Sequence, residues 1–232
     1  MRVLSVAVFV IALCARAYGD GETSTSRHLL AGAHAFKAGH YEEALVELRI
    51  VARASDAPED LAFYLGPTLY KLGRYHEALA VFAASHAAPD ALTDFYLAQT
   101  YYRLALYRSA RAVFVDLRTR GLGPALDEAA GRYIAEIDRG YPQPPPRVLV
   151  DTYLAQALAL ADLRLRAAYL EEARLVEGLL PTRYRRDDIV WPLAQVYVKL
   201  GDGRARAMLE SLAGGPHADE AAALLSKLPP PP

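Results

Sequence analysis

A fixed spacing between equivalent residues constrains this chain more than any other feature, because a repeated sequence demands a repeated structural unit. Three segments align on the turn residues Gly39, Gly73 and Ala105, which are 34 and 32 residues apart. Each turn has a small residue seven positions before it, a tyrosine two positions after it and an alanine five positions after it. These coupled recurrences predict one unit repeated along the chain.

Each unit has the apolar spacing of a pair of helices. Apolar residues such as Leu65, Leu69 and Leu72 recur at intervals of three and four, which is typical of one face of an α-helix. Small residues allow two helices to approach closely, and larger apolar residues fill the space between units. The recurring residues are Gly32, Gly66 and Ala98, then Tyr41, Tyr75 and Tyr107, then Ala44, Ala78 and Ala110, and last Leu48, Phe82 and Phe114.

These residues resemble the tetratricopeptide repeat family, whose unit of about 34 residues carries Leu-Gly-x-x-Tyr and later Ala-x-x-x-Phe. Leu65-Gly66 and Leu97-Ala98 fit the first motif, and the resemblance covers residues 25–122. It implies an all-α fold, a right-handed α-solenoid of antiparallel helix pairs, with a concave face that binds a protein or peptide.

The pattern weakens after residue 122 and resumes after a proline cluster. A single helix is expected over 126–139, and the prolines that follow cannot continue it, so we predict a break between two subarrays. Two degenerate units are predicted over 148–181 and 187–214. The full predicted division is a signal peptide at 1–17, a three-unit array with one extra helix at 25–140, a proline-rich linker at 141–147, degenerate units with a capping helix at 148–228 and a proline tail at 229–232.

The start of the chain has the layout of a secretory signal. Arg2 precedes an apolar run that ends at position 14, and a small-x-small site ends at Ala17. A run of about 12 residues is shorter than the roughly 20 that a membrane-spanning helix needs. We therefore expect cleavage after Ala17 and no membrane span in the mature chain.

A lipoprotein junction at Cys14 is the weaker alternative, because the bulky Leu13 precedes the cysteine. The chain contains 22 arginines and 4 lysines with abundant alanine, which indicates a bacterial source with a GC-rich genome. We expect an exported protein of the periplasm or the cell envelope.

Charge and side-chain placement argue against several classes of function. With 26 basic and 27 acidic residues, the chain is too balanced for a nucleic-acid binder. The histidines show no metal-ligand spacing, and no phosphate-binding loop is present. Adjacent carboxylates such as Glu171 and Glu172 point apart on a helix, so we interpret them as solvent-exposed. We expect no catalytic residues, no metal and no cofactor.

Candidate binding residues form columns along the first helices of the units. A cation stands two residues before each turn with an aromatic residue beside it, and further aromatic residues lie one or two helical turns earlier. Aromatic surface with a row of cations suits a peptide that carries carboxylates. The predicted groove consists of Phe36, Lys37, Phe63, Tyr70, Lys71, Phe95, Gln99, Tyr102 and Arg103.

Two functions fit this sequence. The first is a non-catalytic adaptor or scaffold of the bacterial cell envelope that binds a peptide or protein on its concave face. The alternative is a structural subunit of an envelope assembly, export or motility complex that uses its convex or end surfaces. Substitutions in the groove would be silent in the second case, which separates the two.

Overall fold

A computed structural model describes residues 24–85, 90–121, 123–140 and 144–229, and the predicted signal peptide with Cys14 lies outside these ranges. The described residues form α-helices, one short 3₁₀ turn at Glu59–Leu61 and no strand, which confirms the all-α prediction. In chain order the helices are α1 Ser24–Ala38, α2 Tyr41–Arg53, α3 Ala62–Lys71, α4 Tyr75–Ala84, α5 Ala91–Arg103, α6 Tyr107–Thr119, α7 Pro124–Arg139, α8 Pro146–Ala159, α9 Leu163–Glu177, α10 Arg186–Leu200, α11 Arg204–Glu210 and α12 Ala218–Leu225.

The predicted turn residues end the first helix of each pair in the same way. Gly39, Gly73, Ala105 and Gly201 all have positive φ, at 82°, 74°, 60° and 68°. In each turn the N–H of the next residue donates to the carbonyl five positions earlier, as from Arg74 to Leu69 at 2.9 Å. This left-handed helix end closes the last turn and reverses the chain.

The small residues of the repeat mark where paired helices touch. A Cβ added to Gly66 would stand 2.2 Å from the ring of Phe82, and one added to Gly32 would stand 2.7 Å from Leu48. Ala78 is fully buried on the facing helix. Glycine and alanine therefore let α1 pack closely on α2 and α3 on α4, as the spacing predicts.

The pairs stack into a solenoid of helix pairs. The first helices touch one another directly, α1 with α3 and α3 with α5, and α7 packs on α6 as an extra helix. We call the surface formed by α1, α3, α5 and α7 the first-helix face. The opposite surface, formed by α2, α4 and α6, is the second-helix face.

The second half of the chain folds back onto the second-helix face. Helix α9 packs against both α4 and α6, and α8 packs on α9. One core contains Leu79 and Leu106 of the repeat array together with Val150, Leu154 and Leu170 of the second half. The second half and the repeat array therefore share one core on the second-helix face.

Two further elements complete the second half. Helix α8 begins at Pro146, because proline is well suited to a first helical turn, so the last two residues of the predicted linker are helical. Ala221 of α12 is buried with Val190 and Leu209, so α12 covers the end of α10 and α11. Among the described residues, no helix has the length and apolar character required to cross a membrane.

Candidate functional site

A row of tyrosines runs along the first-helix face. The ring of Tyr70 lies 5.5 Å from that of Tyr75 and 5.4 Å from that of Tyr96. One unit further on, Tyr102 lies 5.4 Å from Tyr107 and 5.0 Å from Tyr133. We call these six residues the tyrosine ladder.

The ladder is a direct product of the repeat. The aromatic residue before each turn and the tyrosine after it are five positions apart, and the left-handed turn brings their rings together. Phe36 and Tyr41 form the same pair in the first unit, with centroids 5.6 Å apart. In the next two units a tyrosine from the following first helix supplies the third ring.

Cations stand over the ladder. The Nζ of Lys71 lies 5.6 Å above the ring of Tyr96, and the guanidinium of Arg103 lies 5.1 Å above that of Tyr75. Both are exposed, as is Lys37. Within the described residues none of the three is paired with a carboxylate, in contrast to Arg74, whose Nε lies 2.6 Å from Glu77.

The protonation states suit the recognition of an anionic partner. Burial, followed by the nearby Tyr133, raises the pKa of Tyr70 to about 12, and burial also raises the pKa of Tyr96. Both hydroxyls therefore stay neutral near pH 7 and can donate a hydrogen bond. The neighbouring Tyr75 hydroxyl raises the pKa of Arg103, so that the guanidinium keeps its charge.

The structure changes the role of two predicted groove residues. Phe95 is only 7% exposed, and its ring lies 5.6 Å from that of Phe114, so the prediction that it faces the groove is wrong. Helix α7 causes this, because Tyr133 packs over Phe95 with a centroid distance of 6.3 Å. The amide of Gln99 donates to the Tyr133 hydroxyl at 3.0 Å, so Gln99 helps to hold the ladder.

The remaining predicted groove residues belong to α1, α3 and α5. Phe36 and Phe63 are half-buried, as are Tyr70 and Tyr102. Tyr96 and Tyr133 were missed by the sequence pattern. Each lies in the helix that follows a repeat unit: Tyr96 in α5 and Tyr133 in α7. An alignment that extended the repeat to α7 would have indicated Tyr133.

Glu172 is the most unexpected charged residue. It is only 1% exposed, so the interpretation of Glu171 and Glu172 as a solvent-exposed pair is wrong for Glu172. Its carboxylate accepts hydrogen bonds from the N–H of Arg108 at 2.8 Å, the N–H of Ser109 at 2.9 Å and the Ser109 hydroxyl at 2.7 Å. A carboxylate from α9 thus satisfies the free N–H groups at the start of α6.

Burial and hydrogen bonding act in opposite directions on Glu172. Burial raises the pKa of this carboxyl above its ordinary value, while the hydrogen bonds from Arg108 and Ser109 lower it by a smaller amount. Two more bonds join the halves nearby. The Tyr153 hydroxyl donates to the carbonyl of Ala105 at 2.8 Å, and the His76 ring lies 3.0 Å from the Tyr169 hydroxyl.

Comparison with known proteins adds no evidence for the resemblance to tetratricopeptide repeats that the sequence shows. No protein-family model matches this chain, and no curated protein matches it either. The likeness to tetratricopeptide repeats therefore remains an expectation from the repeated residues of the sequence alone.

Proposed function

We propose that this chain is a non-catalytic scaffold of the tetratricopeptide type, which binds an acidic peptide or an acidic segment of another protein on its first-helix face. The observation that supports this proposal is the row of exposed cations at Lys37, Lys71 and Arg103, which stands beside the tyrosine ladder. In the described part of the chain none of these cations has a carboxylate partner. Export to a bacterial periplasm or envelope is part of the same proposal and is supported by the sequence of residues 1–17.

The two components would contribute in different ways. Aromatic side chains bury a large area at low entropic cost and supply most hot spots of protein interfaces, at about 2 kcal/mol or more each. Exposed cations contribute only about 0 to 1 kcal/mol as ion pairs, but they orient an acidic partner and raise its association rate. Binding should therefore weaken as the salt concentration rises.

The location of the second half also supports this face. Helix α9 occupies the second-helix face at α4 and α6, where a partner would have to displace a packed core. The first-helix face of the same units keeps its cations exposed. A partner that approaches from this side meets cations that the described residues leave exposed.

The test is a capture experiment from envelope extract with residues 18–232 as bait. A variant with Lys37→Glu, Lys71→Glu and Arg103→Glu is compared with a control that carries Arg53→Glu, Arg183→Glu and Lys227→Glu, three exposed cations outside the ladder. Both variants change the net charge equally, and circular dichroism checks that each is folded. We expect the partner to be lost only with the first variant. Equal capture by both variants would exclude the first-helix face.

One observation favours the alternative of a structural subunit. Val46 and Ile50 are 61% and 42% exposed and lie one turn apart on α2, the second helix of the first unit. This apolar pair would suit packing against another subunit. Under this alternative a Val46→Asp, Ile50→Asp variant loses the captured partner, while the triple variant of the first-helix face retains it.

A further inference from the structure

A cavity of about 290 Å³ lies where the second half meets the repeat array. Tyr101 and Ser109 line it from the array, and Ala167, Ala168 and Leu200 line it from the second half. The alanines leave space that larger side chains would fill. At about 30 Å³ for each water-sized group, the volume suits a molecule of roughly ten non-hydrogen atoms.

One side of the cavity is a fixed network of paired charges. The Nε and one terminal nitrogen of Arg204 donate to the two carboxylate oxygens of Asp202 at 3.0 and 2.7 Å, and the same guanidinium lies 4.2 Å above the ring of Tyr197. The Tyr197 hydroxyl donates to Glu171 at 2.5 Å, and Glu171 also accepts from Arg174 at 2.8 Å. Two cations thus balance two carboxylates, whose remaining lone pairs can accept hydrogen bonds from a ligand.

Two polar groups of the cavity lack a protein partner within the described ranges. The guanidinium of Arg164 forms no ion pair there, although the lining as a whole is balanced, with Arg164 and Arg204 against Glu171 and Asp202. The Tyr101 hydroxyl has no described hydrogen-bond partner. Since no fully buried side-chain nitrogen or oxygen of the described residues is unpaired, this hydroxyl is not fully buried, and Tyr101 is one of the residues that line the cavity.

The Tyr101 hydroxyl is a donor at neutral pH. Burial, with the negative charge of Glu172 next in importance, raises the pKa of Tyr101 to about 12. The cavity therefore presents the unpaired guanidinium of Arg164, the paired guanidinium of Arg204, a neutral donor and two carboxylates that can accept, around a partly apolar floor.

We propose that this cavity binds a small carboxylate that carries several hydroxyl groups, of the size of a single sugar acid. Arg164 would hold the carboxylate of the ligand with charge-assisted hydrogen bonds. Tyr101 would donate to a ligand oxygen, and Glu171 and Asp202 would accept from ligand hydroxyls. A neutral sugar would leave Arg164 unmatched, and a bare carboxylate without hydroxyls would leave the acceptors unmatched.

Both halves of the chain line this cavity, so its ligand would also stabilise their docking. A ligand that binds only the folded chain raises the unfolding temperature by mass action. This site is separate from the tyrosine ladder, and it does not depend on the function proposed for the first-helix face.

The experiment is isothermal titration calorimetry of the mature full chain with D-glucuronate and, as the neutral counterpart, D-glucose. We expect glucuronate to bind and to raise the unfolding temperature, and glucose to bind at least about ten-fold more weakly, since charge-assisted hydrogen bonds account for a factor of that order. Glucuronate that binds no better than glucose, or that does not bind at about 10 mM, overturns the proposal.

Three variants locate the binding. Arg164→Gln should weaken glucuronate binding at least about ten-fold, and Ala168→Leu should abolish it by filling the space. Arg183→Gln, an exposed arginine outside the cavity, should bind as the wild type does. Circular dichroism checks the fold of each variant, and Tyr101→Phe gives a second test from the other half if Ala168→Leu does not fold. Unchanged binding in Arg164→Gln would overturn the proposed site.

Discussion

The two faces of the repeat array come from the same repeated unit but have different surroundings. On the first-helix face, Lys71 and Arg103 stay exposed above tyrosine rings. On the second-helix face, α9 packs across α4 and α6, and Leu79 is fully buried beneath the second half. At α4 and α6 the second-helix face is thus covered by a protein core, whereas Lys71 and Arg103 on the first-helix face remain exposed.

The difference shows how one repeat supplies both a packed support and an exposed surface that is open to the proposed partner. The second half fixes α4 relative to α6 from behind, through its core and through the carboxylate of Glu172. The helices that carry the ladder residues are thus backed by a packed core. Preorganised side chains lose less entropy when they bind a partner.

Removal of the Glu172 carboxylate should produce the largest effect. Glu172→Ala leaves three donors at the start of α6 without their acceptor, and we expect the free energy of unfolding to fall by about 3 to 5 kcal/mol. Urea denaturation measures the loss. Glu128→Ala serves as the control because Glu128 is 74% exposed and should change stability by less than about 0.5 kcal/mol. A loss below about 1 kcal/mol in Glu172→Ala would mean that water replaces the carboxylate.

Truncation of Leu79 tests whether the second-helix face is a true core. Leu79→Ala removes a fully buried side chain that packs with Tyr153 and Leu170 of the second half, so we expect a loss of about 2 to 4 kcal/mol. Lys71→Ala on the opposite face should change stability by less than about 0.5 kcal/mol. Equal effects of the two substitutions in urea denaturation would contradict the contrast between the faces.

The helix pairs could be predicted from the sequence because their signals are local. Turn residues at a fixed period and small residues such as Gly66 report directly on backbone conformation and on helix contact. The columns along the first helices follow from the same period. For this reason Tyr70 and Lys71 in one unit are equivalent to Tyr102 and Arg103 in the next.

The docking of the second half could not be predicted in the same way. His76 and Tyr169 are 93 positions apart, and no periodic pattern reports on a contact of that length. Glu172 is adjacent in sequence to the less deeply buried Glu171. The local sequence therefore does not indicate which of these two glutamates is fully buried. Phe95 was misplaced because its burial depends on α7, which lies outside the recognised units.

A methyl group added at Gly66 tests the close contact between α3 and α4 within one unit, which involves neither the tyrosine ladder nor the second half. Its Cβ would stand 2.2 Å from the Phe82 ring, so Gly66→Ala should lower the free energy of unfolding by about 1 to 3 kcal/mol. Gly131→Ala in α7 is the matched control, because its nearest neighbour outside its own helix would be Arg118 at 3.8 Å. The control should stabilise the protein by up to about 1 kcal/mol through helix propensity. Destabilisation by both substitutions would show that the close approach at Gly66 is not the cause.

The smallest effect is expected at Ala105, where the two faces of the array meet. Ala105 has a φ of 60°, which costs an alanine about 1 to 2 kcal/mol, while glycine adopts this conformation freely. Glycine also adds freedom to the unfolded chain, which offsets about 0.4 to 1 kcal/mol of the gain. Ala105→Gly should therefore raise the unfolding temperature by about 1 to 3 °C.

Gly73→Ala is the reverse substitution at the equivalent turn, where φ is 74°, and it should lower the unfolding temperature. Differential scanning calorimetry compares the two. The carbonyl of Ala105 accepts a hydrogen bond from Tyr153, and glycine retains that carbonyl, so the bond to the second half should survive. If Ala105→Gly lowers the unfolding temperature instead, the contact with the second half determines the conformation of the turn, and the preference of the residue for positive φ does not. In that case the chains with and without Ala105→Gly should have the same unfolding temperature when both also carry Tyr153→Phe.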